Sequence, residues 1–130
     1  MSDFRGTPMK VLVVEDDDLV RTVAVDCLEE AGFEVIEATT GEEAVAKCKD
    51  RIADALFTDI RLPGNINGWD IAEFCREQDP NLPVVYATRF SPLPSRLVPG
   101  ARLFQKPYRM QAVIDSIRQL ADSPNGLCSG

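Results

Sequence analysis

Five short apolar runs recur along the chain, and helical-period segments separate most of them. This alternation restricts the fold more than any other feature. Residues 10–14, 33–38, 55–59, 84–88 and 103–105 read as strands, bounded by turn-forming or polar residues. The first helix is marked by Val20, Val23, Ala24, Cys27, Leu28 and Ala31, with Gly32 as its stop. Thr40, Gly41, Glu42 and Glu43 fit a capping box, with Thr40 at the N-cap and Glu43 reaching back to it. That helix continues through Ala44, Val45 and Cys48. A third spans Gly68–Gln78 on Ile71, Ala72, Phe74 and Cys75, closed by Pro80 and Pro83. The last carries Met110, Val113, Ile114, Ile117 and Leu120 on one face.

Strands that alternate with helices form a parallel sheet with right-handed crossovers and helices on both faces. The expected class is therefore α/β: a doubly wound, flavodoxin-like domain with strand order 2-1-3-4-5. The segment 89–102 contains Pro92, Pro94 and Pro99, and an interior proline costs a helix about 3 kcal/mol. A shortened or irregular fourth helix is predicted there. Residues 1–9 are expected to be an arm, 10–121 the folded domain and 122–130 a tail.

Composition narrows the function. A net charge of −7 opposes a nucleic-acid partner, because phosphate backbones select a Lys/Arg surplus. No run is long enough for membrane insertion, and residues 1–9 lack a signal-peptide core, so a cytoplasmic location is expected. The chain has no histidine, which excludes Ser-His and Cys-His nucleophile pairs and a His-ligated zinc. Cys27, Cys48 and Cys75 fall on apolar helix stripes and Cys128 in the tail. All four are expected to be reduced.

A parallel sheet brings the carboxyl ends of its strands to one edge. Glu15 and Asp16 follow the first strand, Asp59 ends the third, Thr88 the fourth, and Lys106 follows the fifth. Neighbouring strands lie about 4.8 Å apart, so the acids meet. A like-charged pair at 4 Å repels by about 4 kcal/mol at an effective dielectric near 20. Such a cluster calls for a hard dication, and carboxylates with a carbonyl and retained waters suit Mg²⁺. Thr88 and Lys106 supply a hydroxyl and an ammonium for phosphoryl oxygens. Phosphoryl transfer onto Asp59 is the chemistry this set suggests. Taken singly, each motif has a plainer meaning: an acidic helix cap in Asp17 or Asp18, a turn-forming Asp, a Lys-Pro turn.

Together, in order, these residues resemble the signature of bacterial response-regulator receiver domains, over roughly Lys10 to Ala121. The resemblance implies that Asp59 takes phosphate from a sensor histidine kinase or phosphotransfer protein. It also implies that Glu15, Asp16, Asp59 and the backbone carbonyl of Arg61 hold Mg²⁺, and that the Lys106–Pro107 peptide is cis. The expected product is a monomer or weak dimer that switches binding to a downstream protein, with self-assisted phosphoryl chemistry rather than enzyme turnover. Residues 83–90 resemble the PFxFATGY subfamily of stand-alone receivers paired with HWE-type kinases.

Two positions depart from the family pattern. Arg89 stands where a small residue is usual, and Leu103 replaces the aromatic switch residue. They motivate an alternative, a pseudo-receiver adaptor that binds partners without phosphorylation. Arg89 is expected to face solvent in preference to the phosphoryl group. A haloacid-dehalogenase-type phosphatase is opposed by Arg61, which stands where those enzymes carry a second Asp.

Overall fold

The computed structural model describes residues 8–50, 52–89 and 96–122. The expected arm before Pro8, the tail with Cys128, and Phe90, Pro92 and Pro94 lie outside them. The elements run β1 (Lys10–Val14), α1 (Asp18–Glu30), β2 (Glu34–Ala38), α2 (Gly41–Lys49), β3 (Ala55–Asp59), α3 (Gly68–Gln78), β4 (Val84–Thr88), β5 (Arg102–Gln105) and α4 (Met110–Asp122). All strand pairs are parallel, in the order β2-β1-β3-β4-β5.

Period-two alternation divides the core into two layers. Val11, Val13, Phe57, Val85 and Ala87 face α1 and α4, where they meet Ala24, Leu28, Val113 and Ile117. Leu12, Val14, Leu56, Val84 and Tyr86 face α2 and α3, against Ala44, Cys48, Ile71, Ala72 and Cys75. The central strands are apolar throughout because both of their faces are covered. The outer strands β2 and β5 are half-exposed.

Helix starts are set by side-chain caps. Asp17 caps α1, accepting from the Leu19 and Val20 amides. Thr40 caps α2 by accepting from Glu43 N, but the return bond differs from the expected box. The Glu43 carboxylate accepts from the Thr39 amide at 2.6 Å, one residue upstream of the cap. A full capping box does form at α3, between Asn67 and Asp70, where none was anticipated. At the other end of α3, Pro80 biases Asp79 to extended backbone, and the helix stops.

The expectation of four reduced cysteines is corrected: Cys48 and Cys75 form a disulfide, with Cα atoms 5.8 Å apart. Both stripes were read properly as core-facing, but only the packing of α2 on α3 reveals that the two stripes face each other. Cys27 is a free thiol.

Between β4 and β5, no α-helix occurs among the described residues. That segment is tied down from two sides. The Val98 amide donates to the Tyr86 hydroxyl at 3.2 Å. The Arg96 guanidinium binds Asp70 and Glu73 of α3 at 2.9 and 2.8 Å.

Candidate functional site

The close approach of α3 to the end of β3 sets the position of Asp59. Gly68 N donates to the Ile60 carbonyl at 2.8 Å, and a Cβ at Gly68 would collide with the Asp59 carbonyl oxygen and lie 2.8 Å from Ile60 Cα. Only glycine permits this contact. On the other side, Ile60 N donates to the Ala87 carbonyl, which fixes β3 against β4.

Lys106 enters from β5, 47 residues away in sequence. Its ammonium donates to Glu15 Oε1 at 2.9 Å and to Asp59 Oδ2 at 3.3 Å. Glu15 is 6% exposed, while Asp16 beside it is open to solvent. Carboxylate oxygens of Glu15, Asp16 and Asp59 all lie within 4.8 Å of one another. Thr88, 4% exposed, is the residue after Ala87, which is paired with Asp59 across the strands. The Lys106 amide donates to the Thr88 carbonyl at 2.6 Å, so the ends of β4 and β5 are linked directly beside the acids. The Lys106–Pro107 bond is cis.

One ammonium among three carboxylates leaves the charge unbalanced. Burial pushes the Asp59 carboxyl up to about 6, the Glu15 charge adds to this, and Lys106 opposes both. Burial lowers the Lys106 ammonium, but its bond to Glu15 and the charge of Asp59 outweigh that and leave it raised. The Tyr108 hydroxyl is pushed up to about 12, first by burial and then by Glu15 and Asp59. The three acids offer only hard oxygen donors close together, and burial with the Glu15 charge leaves Asp59 raised in spite of Lys106. This donor set fits Mg²⁺.

The remaining expected residues are placed as follows. Arg61 lies just beyond β3 and is exposed. Arg89 is exposed and lines an open apolar groove of about 520 Å³ together with Lys106, Tyr108, Leu19 and Val23. Leu103 is half-buried and paired with Tyr86 on β4.

Sequence reasoning missed three contributors. The first is Arg21, whose guanidinium donates to the Glu15 carbonyl at 2.8 Å and also binds Asp18 and Glu37, locking the acidic loop that follows β1 against α1 and β2. Its spacing of three from Asp18 was the available signal. Tyr108, directly after Lys-Pro, packs edge-on against Phe57 at 5.9 Å and walls the site. Tyr86, fully buried, packs at a tilt against Trp69, with ring centroids 4.9 Å apart, and supplies an aromatic next to Leu103.

Known proteins are similar to this chain in sequence and in fold. The response regulator receiver domain family matches residues 11–118. The chain is 28% identical over 115 residues to the response regulator receiver protein CpdR of Brucella abortus, covering 85% of this chain and 95% of that one. It is 30% identical over 117 residues to the chemotaxis protein CheY of Thermotoga maritima, covering 86% and 97%. A crystal structure of a response regulator receiver protein from Sinorhizobium medicae superposes with a TM-score of 0.87 at 29% identity, over 89% of this chain and 96% of that one. With the same five-stranded order, and acids and a lysine meeting at one sheet edge, the chain belongs to the response-regulator receiver family of two-component signalling.

Proposed function

We propose that Asp59 is a phosphoacceptor, charged by a histidine kinase or phosphotransfer protein, and that its modification switches binding to a downstream protein. The observation that carries this reading is Lys106, which reaches across the sheet edge to contact both Asp59 and Glu15. A lysine buried among acids, beside a strand-end aspartate, is arranged to receive a small anion on that aspartate.

The chain's own groups divide the work. One Asp59 oxygen attacks phosphorus as the P–N bond of the donor phosphoimidazole breaks, and the electron pair leaves with the ring nitrogen. Lys106 orients the attacking carboxylate through Oδ2 and offers its ammonium to a phosphoryl oxygen. Thr88 supplies a hydroxyl donor from β4. Glu15, Asp16, Asp59 and the Arg61 carbonyl would hold Mg²⁺, which when bound neutralises charge on the transferring phosphoryl oxygens. Because the Lys106 amide is bonded to the Thr88 carbonyl, drawing either residue toward a phosphoryl group moves the ends of β4 and β5 together. Residues 10–121 act as one receiver unit in the cytoplasm under this reading. The adaptor alternative leaves a buried Glu15–Lys106 pair at the strand ends without a purpose.

The test is incubation with acetyl phosphate and Mg²⁺, followed by mass mapping. A phosphoryl adduct on the peptide containing Asp59, absent in Asp59→Asn and reduced at least tenfold in Lys106→Ala, is expected. An unmodified Asp59 would refute the proposal.

A further inference from the structure

The α2–α3 cross-link lies on the opposite side of the sheet layer from the lysine groove, and it has its own access to solvent. A cleft of about 140 Å³ is lined by Cys48, Cys75, Ala53, Leu82, Gln78 and the acids Asp54 and Asp79. Both cysteines line the cleft, and Cys48, 6% exposed against 2% for Cys75, is the more accessible residue of the two. Both residues also suit the reduced state, since a free thiol in an apolar helix interface behaves as a small hydrophobe. Neither state leaves a buried polar group without purpose.

The cross-link closes a loop of 27 residues. That loop contains all of β3, the Asp59 strand end, the turn at Gly64 and the Gly68 contact. We propose that Cys48–Cys75 is a reversible thiol–disulfide exchange site, addressed through this cleft by a neutral or cationic thiol, and that its state sets the stability of the fold. The inference is independent of phosphorylation.

A dithiol's thiolate attacks Cys48 Sγ, the protein S–S bond breaks, and Cys75 leaves as a thiolate that takes up a proton. The second thiol of the reagent then attacks the mixed disulfide and releases Cys48 as a thiol. The chain gains two electrons and two protons, and the dithiol becomes a cyclic disulfide. Asp54 and Asp79 at the cleft repel an anionic reagent.

The test equilibrates the folded full chain with dithiothreitol at graded reduced-to-oxidised ratios, followed by acid quenching, alkylation and peptide mapping. Cys48 and Cys75 should become alkylated together and to equal extents, with the circular dichroism of the fold retained. The reduced form should melt about 10 °C lower, because a loop of this length is no longer closed in the unfolded chain. Alkylation of both under fully oxidising ratios would overturn the proposal, as would protection in excess dithiol until denaturant is added. A second arm compares cysteamine with 3-mercaptopropionate at equal thiolate concentration. With each rate divided by that thiol's own rate on the neutral disulfide of 2-mercaptoethanol, which removes the difference in intrinsic nucleophilicity, cysteamine should react several-fold faster, and equal or reversed ratios would overturn the assignment of the acidic cleft as the route.

Discussion

Asp59 shows how one side chain can be destabilising to the fold and necessary to the site. In the metal-free chain its carboxyl is pushed up to about 6 from the usual 3.8, chiefly by burial and then by Glu15. The sign follows from linkage. Above pH 6 the residue is ionised in both the folded and unfolded chain, and the cost of burying that charge beside Glu15 acts in full. As pH falls through 6 the folded protein takes up a proton first, and the penalty fades as pH nears 4. In chelator, Asp59→Asn should therefore melt several degrees above wild type at pH 8, and the gap should close by pH 4.5. A gap independent of pH would mean that the carboxylate is not strained in the fold. The acids of this pocket were visible in the sequence because chain order and strand ends located them. Arg21 was not, since the bond that ties it to the site goes to a backbone carbonyl that no motif records.

At the scale of elements, the packing of α3 on β3 decides whether the site has its geometry. Gly68 is the point of contact, and its missing Cβ leaves room for the Asp59 carbonyl. Gly68→Ala should destabilise the chain by roughly 3 kcal/mol, because backbone must move to accept the methyl group. Gly100 provides the contrast: it has φ +79 and open space where a Cβ would sit. Gly100→Ala meets only the left-handed backbone penalty of roughly 1–2 kcal/mol. Urea unfolding measures both, and Mg²⁺ titration separates them further, since only Gly68→Ala should weaken binding at Asp59. Equal losses in the two variants would remove the close-approach argument. The α2–α3 disulfide belongs to this scale as well. Cys48 and Cys75 each read correctly as core, yet their pairing depends on how two helices rotate against each other.

For the whole molecule, the parallel sheet gathers distant groups at one edge and leaves them short of positive charge. Ligand binding to the folded state alone raises its stability by about 2.7 kcal/mol at 100 times Kd. Mg²⁺ should thus raise the melting temperature by about 10 °C when well above its Kd, and Asp16→Ala should lose most of the effect. Asp59→Asn should respond weakly, so its advantage over wild type at pH 8 shrinks or reverses with Mg²⁺ present. No shift at any Mg²⁺ concentration would exclude a metal site at these acids.

Strand order, the two-faced core and the convergence of Glu15, Asp16, Asp59, Thr88 and Lys106 on one edge were all determined by the sequence. They follow from local periodicity and from the handedness of parallel crossovers, neither of which requires knowledge of side-chain packing. The tertiary structure alone decided that Arg21 holds the Glu15 carbonyl, that Tyr86 packs at a tilt on Trp69, and that Cys48 meets Cys75. Each of those contacts depends on the relative rotation or separation of elements to within an ångström or so. Close packing of whole elements sets that quantity, and no run of residues encodes it locally.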